Sequence, residues 1–152
     1  MVAVAHERSA REWSEQALEA LEKAGHRGGG ARGAVIELLA GQHCCLTAQQ
    51  IFDSLREEGR RVGIASVYRS LELLARLGLV RRIEIGPSAY YEPAYPSGEH
   101  HHHVVCEDCG TVAAFEDRAL EEAIERLARR HRYSVGVHEV TLRGHCPDCR
   151  AA

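Results

Sequence analysis

The 152-residue chain is 45% hydrophobic and 27% charged, a balance ordinary for a soluble globular protein of one domain or two small ones. No apolar run approaches the roughly 18 residues of a membrane span, and Met1–Arg11 lacks a secretory apolar segment, so a cytoplasmic protein is expected, in which its six cysteines are metal ligands more readily than disulfides. The net charge of −3 argues against a uniformly basic nucleic-acid binder, yet residues 1–86 carry 12 basic against 11 acidic side chains and residues 87–152 carry 7 against 11. The first half can therefore present a local basic face, while the second suits cations.

A first helix is expected over Ser9–Ala24, with Trp13, Ala17, Leu21 and Ala24 on one stripe and Gly25 ending it. Gly28–Gly30 read as a flexible connection. A second helix follows over Ala31–Ala40, with Val35, Leu38 and Leu39 as its apolar face. A third begins at Thr47, whose spacing to Gln50 is that of a capping box. The fourth spans Ile64–Leu77, buries Val67, Leu71 and Leu74, and stops at Gly78. Leu79–Ile85 and Ala89–Glu92 read as two strands about the turn Gly86-Pro87. Helices followed by a hairpin are the plan of a winged helix-turn-helix domain over 1–92. Pro93, Pro96 and Gly98 mark a hinge over 93–99. In 100–152, strands are expected near His101–Cys106 and Thr111–Phe115. A helix follows over Asp117–His131 with Leu120, Ile124 and Leu127 facing a core, then a long strand over Tyr133–Leu142. The fold class is thus α+β, a winged helix followed by an α/β domain.

With Val67 and Leu71 inward, Ser66, Tyr68 and Arg69 project outward from the start of the fourth helix. That is where a recognition helix reads base edges. Arg81 and Arg82 open the wing, where phosphate contacts belong. An amphipathic helix with a solvated face accounts for the same residues taken alone.

Cys106-x-x-Cys109 and Cys146-x-x-Cys149 are two metal knuckles. Four thiolates close a tetrahedral shell with no open position, which reads as a structural zinc (Zn2+) site, the alternatives being unliganded or redox-active thiols and an electron-transfer iron on the same ligands. The 36 residues between the knuckles hold a helix and a strand, so the ion would tie together a whole α/β unit. His100, His101, His102 and His103 enter a strand, whose alternation sends His100 and His102 one way and His101 and His103 the other. Such a run can serve two sites. Glu121, early in the helix, and His138, on the face of Val140 and Leu142, are placed to complete one with His100 and His102. Taken singly, His138 reads more readily as a hydrogen-bonded core residue and Glu121 as a helix-dipole partner.

The ordered set Ser66-Val67-Tyr68-Arg69, His100 through His103, Cys106-x-x-Cys109-Gly110, Glu121, His138 and Cys146-x-x-Cys149, spread over residues 10–150, resembles the ferric uptake regulator family. The resemblance implies a homodimeric, metal-dependent repressor, not an enzyme, on a double-stranded, AT-rich, inverted-repeat operator. It implies that Cys106, Cys109, Cys146 and Cys149 hold structural zinc, and that His100, His102, Glu121 and His138 form a site inside the dimerisation domain. His101, His103 and Glu92 would belong to a regulatory site at the hinge, with Tyr68 and Arg69 as the base-reading pair. Two departures stand out. Alignment on Leu46-Thr47-Ala48 places Cys45, beside Cys44 and His43, where iron-sensing members carry a histidine. The run Gly28–Gly30 replaces a tighter turn on which minor-groove contacts by Arg27 and Arg32 depend. The regulatory ion implied is Fe2+ first, with Zn2+ the alternative because thiolate is the softer donor. Peroxide or nickel sensing ranks lower, Glu121 standing where peroxide sensors have Asp. Two rivals from other classes are a zinc hydrolase using Glu121 as base, and a zinc-ribbon scaffold without operator binding.

Overall fold

The computed structural model describes residues 2–96 and 101–151, with side chains from Arg8 onward. The chain divides into two compact units, Met1–Glu99 and His100–Ala152.

In the first unit, helix α1 (Val2–Lys23) starts earlier than Ser9, since nothing in the sequence before that residue breaks a helix. Trp13, Ala17 and Leu21 are fully buried, and the Trp13 indole N–H donates to the Leu79 carbonyl at 2.6 Å. Gly25 (φ +77°) closes the helix. Its N–H bonds the Glu22 carbonyl and that of His26 bonds the Leu21 carbonyl, the paired arrangement that only a left-handed residue permits cheaply. Helix α2 (Ala31–Ala40) buries Ala34, Val35, Ile36, Leu38 and Leu39, a wider face than its expected stripe. It packs against α1 and both following helices. A Cβ at Gly33 would stand 2.5 Å from the Gly28 carbonyl oxygen, whereas one at Gly29 would meet nothing. Gly33→Ala is therefore expected to lower stability by about 1–3 kcal/mol, read as a drop in Tm that Gly29→Ala does not reproduce.

Helix α3 (Ala48–Glu57) opens on the Thr47–Gln50 capping box, both hydrogen bonds formed. Helix α4 (Ile64–Arg76) buries Val67, Leu71 and Leu74 completely. Strands β2 (Val80–Ile85) and β3 (Ser88–Pro93) form the hairpin. Strand β1 (Leu46–Thr47) joins them as a third, giving the antiparallel order β1-β3-β2. Two residues are too few to show a periodicity, so β1 is invisible to pattern reading. Strand β3 runs through Pro93, one residue into the expected hinge; residues 97–99 of that hinge lie outside the described residues.

In the second unit, β4 (His102–Cys106) is central, antiparallel to β5 (Val112–Phe115) and parallel to β6 (Thr141–Gly144). Helix α5 (Arg118–Arg130) crosses between β5 and β6, its N-terminus capped by the Asp117 carboxylate at 2.8 Å from the Leu120 N–H. A short helix, α6 (Pro147–Arg150), ends the unit. Two expectations are corrected. The strand expected over Tyr133–Leu142 is reduced to β6; residues 133–140 form no strand, because among the described residues β4 takes up the segment only from Val140, whose carbonyl accepts from the His103 N–H. The α5 stripe is incompletely covered: Leu120 and Ile124 are half-buried and Leu127 is 49% exposed.

Candidate metal centres and nucleic-acid interface

Cys106 ends β4, Cys109 sits in the turn that Gly110 (φ +73°) allows, Cys146 caps α6 with Pro147 behind it, and Cys149 lies in its first turn. Their four sulfurs lie within 4.8 Å of one another, and Cys109 Sγ is 3.8 Å from Cys146 Sγ. Ligands 2.3 Å from a tetrahedral zinc stand about 3.8 Å apart, so the set fits that ion. The electrostatics agree. Backbone amides of Cys109 and Cys146 lower the Cys106 thiol to about 6, the Cys146 N–H lying 3.3 Å from its sulfur. The Thr111 hydroxyl, 3.1 Å away, holds Cys109 down. Cys149, against Cys146 and Cys109, is pushed up to about 12. Some thiols thus ionise readily while the last resists, until a cation offsets the accumulated charge. Sequence reading missed one tie between the knuckles. The Asp108 carboxylate lies 2.7 Å from His145 Nδ1 and raises the histidine's pKa.

A second cluster joins β4, the first turn of α5 and the segment before β6. Glu121 Oε1 lies 2.6 Å from His102 Nε2, and Glu121 Oε2 lies 2.8 Å from His138 Nε2. His102 is buried, its ring tilted against that of Phe115 with centroids 5.5 Å apart. Three of the four residues expected here are thus together; His100 lies outside the described residues. His138 converges from a loop, not from the strand expected.

The residues assigned to the hinge site fall in both units. In the first, β1 pairs with β3 at Leu46↔Tyr91, so Cys45, just before Leu46, stands beside Glu92, just after Tyr91. Both are buried. Across the next pair, Arg81 opposes Glu92 and its guanidinium donates to the Glu92 carboxylate, a partner that sequence spacing could not reveal. The neighbouring Cys44 thiol, then burial, push Cys45 well above the ordinary thiol range. In the second unit His101 Nε2 lies 3.1 Å from the Glu116 carboxylate. His103 follows His102 in β4 on the opposite face.

On α4, Tyr68 and Arg69 are exposed and Ser66 is half-buried. Arg69 Nη2 donates to Ser66 Oγ at 3.0 Å. Gly29, Ala31, Arg32, Ser66, Arg69 and Ser70 line a cleft of about 180 Å³. It places two guanidinium-bearing residues at the N-terminus of α2, a position suited to a phosphate. Arg32 Nη1 donates to the Arg27 carbonyl at 3.4 Å, while the Arg27 side chain is exposed outside the cleft lining.

A winged-helix unit with an outward-facing reading helix, followed by a unit carrying a four-thiol centre and an imidazole–carboxylate cluster, defines a metal-binding transcriptional regulator. The model of the ferric uptake regulator family matches residues 23–143. The chain belongs to that family and is a metal-dependent transcriptional regulator, not an enzyme; such regulators bind operator DNA, usually as dimers. It is 36% identical to a ferric uptake regulation protein of Legionella pneumophila over 107 residues, covering 69% of this chain and 76% of the relative. A peroxide-responsive repressor of Staphylococcus aureus is 29% identical over 90% of each chain. Among solved structures, the ferric uptake regulator of Vibrio cholerae superposes with a TM-score of 0.73 at 29% identity, over 84% of this chain and 98% of that one. No described helix is long and apolar enough to cross a membrane.

Proposed function

We propose that the protein is a cytoplasmic, homodimeric repressor of metal-homeostasis genes that binds an AT-rich inverted-repeat operator when a divalent transition ion occupies a sensing site. One observation carries this reading. Strand β3, part of the winged-helix unit, presents Glu92 beside Cys45, so ligand-type side chains are built into the DNA-binding unit itself. Glu92 and Cys45, with His101 and His103, form the sensing set; His102, Glu121, His138 and His100 form a separate site of the second unit. The ion favours the conformation that sets the recognition helices of the dimer at the spacing of the operator half-sites. Imidazole and carboxylate donors, and the name of the Legionella relative, support Fe(II); Cys45 supports Zn(II).

Operator binding titrated anaerobically with Fe(II) and with Zn(II) at buffered free concentrations tests this. Binding unchanged by either ion would overturn it. So would full metal-dependent binding by the Glu92→Ala/His101→Ala double variant.

Dimerisation is supported by Tyr133, Val135 and Val137, which alternate along the unpaired segment with 76%, 47% and 82% exposure, next to the uncovered end of α5. An exposed apolar alternation of this kind suits pairing with the same segment of a second copy. Val137→Asp is expected to sediment as a monomer at concentrations where the parent is a dimer.

A further inference from the structure

Cys44 is absent from the sensing set above. Its sulfur nevertheless lies 4.0 Å from that of Cys45. Consecutive residues of an extended strand point to opposite faces, which would separate two adjacent sulfurs. Here Cys44 lies in a bend and Cys45 immediately before β1, and the chain brings both sulfurs to one side. Their spacing is close to the edge of a zinc–thiolate tetrahedron, about 3.8 Å. Cys109 and Cys146 of the four-thiol centre show the same spacing, 3.8 Å. The hard donor nearby, Glu92, is by contrast already engaged by Arg81.

We propose that Cys44 and Cys45 together form a dithiolate arm of the sensing site, and that the regulatory ion is thiophilic and divalent, of the zinc class. This rests on the assignment of Cys45 to that site. Beside the Glu92 carboxylate of the sensing set, two thiolates give the first unit two soft donors against one hard one, a balance that favours zinc. Fe(II) is held better by nitrogen and oxygen donors, and this arm would supply neither. The histidine expected of iron-sensing members is thus replaced by a chelating pair, not by one substituted ligand.

The test uses the full-length dimer with structural zinc in place, without oxygen and under a non-thiol reductant, so that no disulfide forms between the two cysteines. Co(II) serves as the spectroscopic probe. Its near-ultraviolet charge-transfer absorption scales with the number of cobalt–thiolate bonds. The added ion should show this band in the parent, at about half intensity in Cys44→Ser and in Cys45→Ser, and not in the double variant. Zn(II) affinity, read by chelator competition, should fall in Cys44→Ser by at least the roughly 10–100-fold that losing an outer-sphere partner costs. A full band and unchanged affinity in Cys44→Ser would overturn the proposal. A His103→Ala arm separates the two readings. Weakened binding in His103→Ala with an unaltered Cys44→Ser leaves the sensing site standing and sinks the dithiolate. A halved band in Cys44→Ser with an unaffected His103→Ala supports the dithiolate and removes the histidine from the set. No added band in the parent overturns both.

Discussion

Cys109→Ser is expected to unfold the second unit while leaving the first intact. Among the described residues of the second unit, His102, His103, Val105 and Cys106 are buried, and neither α5 nor α6 buries any residue fully. A unit of this size with so small an apolar interior needs another source of stability. The four-thiol centre fits a zinc ion that would supply it: binding of such an ion contributes apparent free energies on the order of 10–16 kcal/mol at neutral pH in small zinc domains. Removing one thiolate forfeits a large part of that. The first unit is different. Trp13, Leu21, Ile36, Leu39, Ile51, Leu55, Leu71 and Leu74 are almost wholly buried, a core that owes nothing to metal. Amide hydrogen exchange should therefore show β4, β5 and β6 exposed in Cys109→Ser and in the chelator-stripped parent, with α1–α4 still protected. Retained protection of those strands after complete zinc removal would contradict a structural role for the centre.

Arg69→Ala should abolish most operator affinity without disturbing the fold, since the buried face of α4 is Val67, Leu71 and Leu74. A bidentate arginine–guanine contact is worth about 1–3 kcal/mol of discrimination. A dimer uses the contact twice, so the expected loss is on the order of 10²–10⁴-fold in Kd. The loss should be confined to specific sequence. Arg32→Ala, in the same cleft but off the reading helix, should instead weaken operator and scrambled DNA alike and flatten the salt dependence by about one unit per contact. Equal losses on both DNAs for Arg69→Ala, measured by fluorescence anisotropy across a salt series, would reassign it from bases to phosphates.

Much of the first unit was legible because its signals are local. Gly25 and Gly78 need left-handed backbone, Thr47 and Gln50 satisfy each other's helix-end groups, and Val67, Leu71 and Leu74 keep one face. The two cysteine knuckles were legible for the same reason, their chemistry being set by spacing within four residues. What remained hidden depends on tertiary pairing. Strand β1 exists because β3 lies beside it, and Arg81 meets Glu92 only through the hairpin register. The convergence of Cys44 with Cys45 follows from a bend that the sequence does not announce. The misread strand over Tyr133–Leu142 is instructive in the opposite sense. Its alternation is genuine, with Tyr133, Val135 and Val137 in phase, but alternation reports a face seeking cover, and no strand of the described unit provides it. Likewise the apolar stripe of α5 was read correctly as a stripe and wrongly as a covered one.

The parallel pairing of β6 with β4 has a consequence for how the chain checks its own assembly. Parallel strands finish at the same edge of a sheet, and the register Cys106↔Gly144 brings the start of the second knuckle, two residues on, to the end of the first. A slip of one residue would move the second knuckle by about 3.3 Å along the strand and turn every side chain of β6 to the other face. Four sulfurs could not then reach one ion. A zinc ion held by the four thiolates would therefore bind tightly to one alignment of the two strands and poorly to its neighbours, and its capture would reject misaligned pairings of strands separated by the 34 residues between Cys106 and Thr141.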